Sequence, residues 1–329
     1  MSATINNGWV YKDRITMEHH GEYIKSFLTK KYRHSTYNEW GNRISNGEIS
    51  INNQTIYNDQ VIYSGDKIKW NRQPWEEPSV PKEWEILFDN GDILVINKPS
   101  GLPVMPGGGF LENTLCMLLK HKSIESNEKL YPKPIHRLGR FISGVLLCAR
   151  RRESRAELSE QIRSKRNQYS KVRRIYRGLA YKNKNLNVNE CISIDHPITK
   201  QKHQKLGYIW TWQEESIAIP DLSNRKLALP AKSEIRLLEN KNLADLLEIV
   251  IYTGRPHQIR IHLASIGSPL IGDPLYKINR KISNIATPGA GGYQLHCNRI
   301  ENILINHQKF SFESHPPRNL TEELNQDQL

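Results

Sequence analysis

Residues 134–150, PIHRLGRFISGVLLCAR, decide the fold of this chain. The stretch begins with a cationic turn, HRLGR at residues 136–140, and ends with an apolar run, VLLCA at residues 145–149. The run is short, begins with a β-branched residue and is bounded by Gly144 and by charge, which predicts a buried strand. Binding and catalytic groups tend to lie on loops held by a packed strand, so the turn is a candidate site. A solvated surface turn is the alternative interpretation.

The charge of the chain indicates an acidic partner. Of 329 residues, 47 are Lys or Arg and 34 are Asp or Glu, which gives a net charge of +13. Residues 150–177 alone hold eleven Lys or Arg and three Glu, an excess of eight, directly after the opening stretch. Nucleic acid is favoured over a membrane surface, because no amphipathic helix with a bulky apolar face stands out. A solvated basic helix is the alternative.

Cysteine and histidine spacing predicts neither a metal site nor a disulfide framework. The four cysteines are scattered, and the twelve histidines contain no HExxH pattern. Scattered cysteines are typical of a reducing compartment. The start, MSATINNGWVYKD, lacks a secretory pattern, and no apolar run is long enough to span a bilayer. We therefore expect a cytoplasmic protein that binds no metal and does not enter a membrane.

Residues 1–75 are predicted to form a small separate module. The stretch GEYIKSFLTKKYR at residues 21–33 has apolar residues at helical spacing. Its other face is basic and carries Lys25, Lys30, Lys31 and Arg33. A capping box formed by Thr36 and Glu39 predicts the start of a second helix. Alternating strands and turns are expected from residue 48 to residue 70.

Composition also sets the other boundaries. PWEEPSVPK at residues 74–82 holds three prolines and predicts a stiff linker, which we place at residues 76–82. Residues 83–317 are then a larger domain, and residues 318–329 are expected to be a disordered tail.

Two stretches of the larger domain add candidate site residues. The strand predicted at residues 174–181 alternates, so Arg174 and Tyr176 should face the same side of a sheet. TGRPHQIRIHLASIG at residues 253–267 predicts a helix with Pro256 in its first turn. Arg260 lies between two isoleucines of this helix. Partial burial is therefore expected, and a buried Arg needs an anionic partner.

Two helices followed by NGEISINNQTI and VIYSGDKIKW make the N-terminal module resemble the alpha-L RNA-binding domain first described in ribosomal protein S-four. Asn53 stands where that domain usually has a turn glycine, and the first helix lacks the common Arg-Leu-Asp start. The resemblance implies that the basic face of the helices contacts the RNA backbone. A small β-rich cap on the next domain is the alternative.

Four stretches in order resemble the RluA family of pseudouridine synthases: VINKPSGLPVMPGGG, HRLGRFISGVLLCAR, RRIYRGLAYK and YTGRPHQIRIHLASIGSPLIGDPLY. The match covers roughly residues 84–317. The resemblance implies an α+β fold, with a mixed, mostly antiparallel sheet, flanking helices and a long basic cleft. It also implies isomerisation of uridine in RNA without a cofactor.

The resemblance assigns a role to each matching residue. Arg137 resembles the arginine that takes the space of the extruded uridine, and Tyr176 resembles the tyrosine that packs on the base. Arg260 resembles the basic residue that pairs with the catalytic carboxylate. We expect the other RNA contacts of the cleft to come from His136, Arg140, Arg255 and His257.

The chain departs from the family pattern at its centre. The pattern is His-Arg-Leu-Asp-Arg, whose Asp is the essential catalytic group, and Gly139 stands at that position. Glycine cannot attack the sugar, remove a proton or pair with Arg260. Asp273, in the Gly-Asp-Pro of the fourth stretch, resembles a family feature that is more typical of a structural role. An Asp or Glu within about 4 Å of Arg260 would indicate a relocated catalytic carboxylate.

Two classes of function therefore stay open. The first is an RNA pseudouridine synthase, or a divergent member that recruits another carboxylate or works differently. The second is a non-catalytic RNA-binding protein on the same scaffold, because loss of the reacting group removes most of the chemical acceleration. A ribosome-assembly partner, in which RNA binding itself is the function, is a third and less favoured alternative. The retained Tyr176 and Arg260 favour the synthase. The alpha-L resemblance favours ribosomal over transfer RNA, and we expect a monomer.

Overall fold

The computed structural model describes residues 4–163, 170–203, 206–213, 228–287, 289 and 291–322. The chain divides into two compact units, Met1–Ser79 and Val80–Leu329. Each unit has its own hydrophobic core. The division falls inside the range predicted as a linker.

The N-terminal unit packs two helices on a small antiparallel sheet. Helix α1 is Ile24–Lys31 and helix α2 is Tyr37–Ser45. Helix α2 begins with the capping box that Thr36 and Glu39 predicted. The strands are β1 (Thr4–Ile5), β2 (Trp9–Arg14), β3 (Ile49–Ile51), β4 (Gln54–Thr55), β5 (Lys67–Arg72) and β6 (Glu76–Glu77). Strands β2, β5, β3 and β4 form the sheet in that order.

The first residues of the predicted linker belong to this unit. Strand β6 pairs with β1 in antiparallel register. The Glu77 side chain is buried and accepts a hydrogen bond from Asn6 Nδ2 at 2.6 Å. The prolines of residues 74–82 predict an irregular segment. Composition cannot reveal that two of its residues pair with a strand about 71 positions earlier in the chain.

The C-terminal unit is built on one ten-stranded sheet. Its strands are β7 (Glu85–Asp89), β8 (Ile93–Lys98), β9 (Lys133–Pro134), β10 (Ser143–Ala149), β11 (Arg173–Ala180), β12 (Cys191–Ile194), β15 (Ser233–Asn240), β16 (Asp245–Ile251), β19 (Leu295–Ile305) and β20 (Gln308–Glu313). The main order is β12-β15-β16-β11-β19-β10-β8-β7, with β20 beside β19 and β9 beside β10. Only β10 and β19 are parallel among these strands. The predicted α+β class with a mostly antiparallel sheet is confirmed.

Strand β10 is the predicted buried strand, and all seven of its residues are buried. Its second residue is Gly144, whose φ is +107°. A Cβ at this position would collide with the backbone of Cys297 on β19. Glycine is therefore required at the start of β10, because the two parallel strands approach closely there.

In the described part of this unit, three helices flank the sheet: α3 (Leu115–Glu125), α4 (Arg152–Ile162) and α5 (Gln258–Ser265). Helix α4 ends at Ile162, and residues 164–169 lie outside the described part. Helix α5 begins two residues after Pro256, because His257 adopts a left-handed conformation with φ of 54°.

Helix α5 is buried along its whole length. A satellite core forms where it packs against a hairpin of strands β13 (Ile198–His203) and β14 (Gly207–Trp212). A second short hairpin follows, with strands β17 (Tyr276–Lys277) and β18 (Lys281–Ile282).

The start of the predicted disordered tail is ordered. Residues Arg318–Leu320 form a 3₁₀ turn and Leu320 is buried. Arg177 Nη1 donates to Glu322 at 2.8 Å. An apolar Leu within a polar segment was the available signal for this docking. Among the described residues, no helix is long and apolar enough to cross a membrane.

Candidate RNA-binding cleft

A cleft of about 670 Å³ opens on the C-terminal unit. Three segments that are distant in sequence form its walls: the turn at residues 136–139, strand β11, and residues 254–260 at the start of α5. The described residues that line it include no Asp or Glu. They include five arginines, Arg137, Arg163, Arg174, Arg255 and Arg260. The cleft is thus strongly cationic and suited to an anionic ligand.

A buried lysine holds the turn in place. The Lys98 Nζ donates to the carbonyls of Pro99 at 2.7 Å, Leu102 at 2.8 Å and Arg140 at 3.3 Å. Burial lowers the pKa of Lys98 to about 7, whereas three carbonyl acceptors favour its ammonium form. The end of β8 is in this way tied to the end of the candidate turn.

His136 and Arg140 of the turn both contact the backbone of other segments, and their RNA contacts stay a prediction. His136 Nε2 accepts the backbone N–H of Leu147 at 3.1 Å, and burial lowers its pKa to about 3, so it is uncharged at neutral pH. Arg140 does not line the cleft. Its Nε donates to Gly101 at 3.1 Å and its guanidinium stacks on Phe110. Arg137 lines the cleft and is exposed, as its predicted role requires.

The predicted residues of the opposite wall lie in the cleft. Tyr176 is 5% exposed and lines the cleft together with Arg174 of the same strand face. Arg255 Nε donates to Pro230 at 2.8 Å. His257 Nδ1 lies 3.2 Å from Tyr276 Oη, and burial lowers the pKa of His257 to about 4. His257 is therefore uncharged at neutral pH and contributes no positive charge to RNA binding.

Arg260 has the anionic partner that its burial demands. Its Nε and Nη2 donate to Asp273 Oδ2 and Oδ1 at 2.6 and 2.8 Å. The guanidinium also stacks on Tyr293 and Tyr276, with its central carbon 4.4 and 5.1 Å from the ring centroids. Burial by itself would lower the pKa of Arg260, but the hydrogen bonds and charge of Asp273 outweigh it, and the pKa is raised.

Asp273 meets the distance expected of a relocated carboxylate, but its surroundings give it a structural role. Its side chain is 1% exposed and does not line the cleft. Oδ1 also accepts the backbone N–H groups of Leu275 at 2.9 Å and Tyr276 at 3.0 Å. The carboxylate is thus held by Arg260 and by the turn that follows it, which is typical of a structural role.

Tyr293 fills the space next to Gly139. A Cβ at residue 139 would lie 2.6 Å from Tyr293 Oη, which is shorter than any normal contact. Tyr293 is 6% exposed, and burial raises the pKa of its phenol. A neutral hydroxyl therefore stands beside Arg260 where the family pattern has a carboxylate. Sequence reasoning missed Tyr293, for which the Gly291-Gly292 pair before it was only a weak signal.

The predicted RNA contacts of the N-terminal unit differ in availability. Lys30 pairs with Glu22 at 3.0 Å, and Lys31 pairs with Asp13. The Lys25 ammonium lies 3.9 Å from the centroid of the Tyr37 ring. Arg33 is exposed. The two paired lysines have part of their charge neutralised within the unit.

Three or more potential metal ligands do not cluster anywhere in the described ranges. The residues that line the cleft offer hydrogen-bond donors, an aromatic ring and positive charge. This set of groups can hold a base and a phosphate chain.

Comparison with known proteins shows which family this chain resembles. Residues 92–265 match the family model described as RNA pseudouridylate synthase. RNA pseudouridine synthase 5 of Arabidopsis thaliana is 32% identical over 92% of this chain and 91% of its own length. An uncharacterised RNA pseudouridine synthase of Synechocystis sp. is 36% identical over 83% of this chain and 87% of its own length.

A solved structure of human RNA pseudouridylate synthase domain containing 1 shares the fold. Its TM-score is 0.52 at 18% identity, over 77% of this chain and 95% of that one. The family match spans the turn, strand β11 and helix α5, which together form the cleft. The chain belongs to the RNA pseudouridine synthase family.

Proposed function

We propose that this chain binds RNA in the cleft, holds an extruded uridine against Tyr176, and lacks the carboxylate chemistry of its family. The observation that carries the proposal is the Tyr293 hydroxyl beside Gly139. A neutral group lies against the carboxylate position, and the carboxylate that pairs with Arg260 is buried and also accepts two backbone N–H groups.

Elementary chemistry supports this assignment. A carboxylate can attack the sugar or accept a proton at neutral pH, whereas a phenol with a raised pKa is almost entirely protonated. Removal of a reacting group usually costs several orders of magnitude in rate. Arginines and an aromatic ring, in contrast, are sufficient for base capture and backbone binding.

We further propose that the N-terminal unit is an alpha-L domain and that the chain belongs to the RluA branch of the family. Two helices packed on a four-stranded sheet agree with that module. Such a unit would add a second surface that binds the RNA backbone. It favours ribosomal RNA as the ligand. We also propose that the protein acts in the cytoplasm.

Isomerisation of uridine is the second candidate function. It is supported by Tyr176 and Arg260, which lie together in the cleft, and by family membership. A group supplied by the RNA or by residues outside the described part would then replace the carboxylate.

Parallel assays of binding and chemistry on one RNA separate the two functions. Unmodified ribosomal and transfer RNA transcripts would be titrated with the wild-type protein and then digested, with pseudouridine detected by mass spectrometry. We expect salt-dependent binding of ribosomal RNA without a pseudouridine product. Product formed in stoichiometric excess over the protein would overturn the non-catalytic proposal, and absence of binding would remove both functions.

A further inference from the structure

We infer that Arg174 is the phosphate-binding residue of the cleft and receives the backbone of the nucleotide whose base lies against Tyr176. The inference rests on the proposed RNA binding. Arg174 is 5% exposed and lines the cleft. Its Nε and Nη2 are enclosed and have no hydrogen-bond partner among the described residues.

The surroundings of Arg174 are those of an anion site. Gly254 makes room for the guanidinium, because a Cβ there would lie 2.8 Å from Nη1. Arg255 is the charged group whose field lowers the pKa of Arg174 further, after burial, and the neutral His136 is its other titratable neighbour in the cleft. The hydroxyl of Tyr176 and the thiol of Cys297 act in the opposite direction, but both stay protonated at neutral pH since burial raises their pKa.

A buried arginine without a partner is unfavourable in a free protein. Its donors become satisfied when an anion enters, and a phosphodiester supplies several acceptor oxygens in a geometry that guanidinium groups match. Arg174 and Tyr176 are two residues apart on one face of β11. The sheet therefore presents a base-stacking ring and a phosphate donor side by side, about 7 Å apart along the strand.

The first test uses inorganic phosphate and the full chain. The melting temperature of wild type is measured in phosphate and in sodium chloride of equal ionic strength, beside Arg174→Met, Arg174→Lys and the exposed control Arg152→Met. We expect phosphate to stabilise wild type and Arg152→Met, to stabilise Arg174→Lys less, and to leave Arg174→Met unchanged. Without phosphate, Arg174→Met should melt at a higher temperature than wild type, because an unpaired buried charge has been removed.

The second test is the salt dependence of ribosomal RNA binding. Arg174→Met should lower the affinity about ten-fold and reduce the slope of log affinity against log salt by about one. A purely structural arginine gives the opposite pattern, in which Arg174→Met melts lower and keeps the wild-type slope. That result would overturn the inference.

The two tests also distinguish the inference from the proposed function. If wild type binds RNA but its phosphate response survives Arg174→Met, the assignment of Arg174 is wrong and the RNA proposal stands. If the phosphate response depends on Arg174 but wild type binds no RNA, the anion site is supported and the RNA proposal fails.

Discussion

Residue 139 shows how one missing side chain changes a site through its neighbours. The φ of Gly139 is not positive, so an L-residue fits the backbone there. The obstacle is spatial: Tyr293 Oη lies 2.6 Å from the Cβ position, and Ile142 Cδ1 lies 3.4 Å from it. A return to the family pattern at this residue therefore requires a change at Tyr293 as well.

We expect Gly139→Asp alone to destabilise the protein by about 1–3 kcal/mol, because it overpacks the wall of the cleft. In a Tyr293→Ala background, the same substitution should cost less, since the colliding hydroxyl is gone. Urea unfolding of wild type, both single variants and the double variant measures this coupling. Equal costs of Gly139→Asp in the two backgrounds would contradict the packing argument. Pseudouridine formation is assayed on the same four proteins, and only the double variant should gain it.

Sequence reasoning at this scale identified the vacant position and placed Tyr176 and Arg260 in one cleft. It could not identify Tyr293 or the orphan Arg174. The first comes near residue 139 only through the order of β10 and β19. The burial of Arg174 and the lack of partners for its Nε and Nη2 among the described residues are visible only in the structure. Sequence reasoning also did not reveal that His136 and Arg140 contact the backbone of other segments, at Leu147 and Gly101.

Helix α5 is anchored by a buried polar network at its inner face. His262 Nε2 donates to the His196 carbonyl at 3.0 Å, so its Nδ1 accepts from the Ser233 hydroxyl at 2.9 Å. Ser233 in turn accepts from Gln258 Nε2 at 3.0 Å. This arrangement suits a neutral imidazole, in agreement with the burial that lowers the pKa of His262 to about 4.

The network makes the stability of the protein depend on pH. The unfolded chain binds the His262 proton near pH 6.5, whereas the folded chain binds it only near pH 4. The stabilisation is therefore complete above pH 6.5 and is lost as the pH falls toward 4, by about 3 kcal/mol at most. Urea unfolding at pH 7.5, 6 and 4.5 should show a steeper decline for wild type than for His262→Gln. Parallel declines would contradict the assignment.

At the level of elements, the predictions succeeded where periodicity and chemistry coincide. The buried run of β10 and the capping box of α2 are examples. They failed where tertiary contacts decide, as in the pairing of β6 with β1 and the docking of Leu320. The start of α5 was misplaced because the left-handed His257 cannot be recognised from proline spacing.

Across the whole molecule, part of the positive charge is paired with acidic side chains. Two neighbouring basic residues of the N-terminal unit differ in their contacts. Lys30 forms an ion pair with Glu22, whereas Arg33 is exposed. Arg33→Ala should weaken RNA binding and reduce the salt slope by about one. Lys30→Ala is the matched control and should change both much less. A larger effect of Lys30→Ala in a filter-binding titration over several salt concentrations would refute this ranking.

The position of β19 constrains how the protein is made on the ribosome. This strand lies between β10 and β11, although it follows both of them by more than 100 residues in the chain. Until it emerges from the exit tunnel, the two halves of the sheet have no shared strand, and each leaves an edge open to pairing with other chains. The N-terminal unit lies within the first 79 residues and has its own core, so it can fold early during synthesis. The C-terminal unit cannot complete its sheet until β19 has been synthesised. We expect chaperones that bind exposed strand edges to protect it until then.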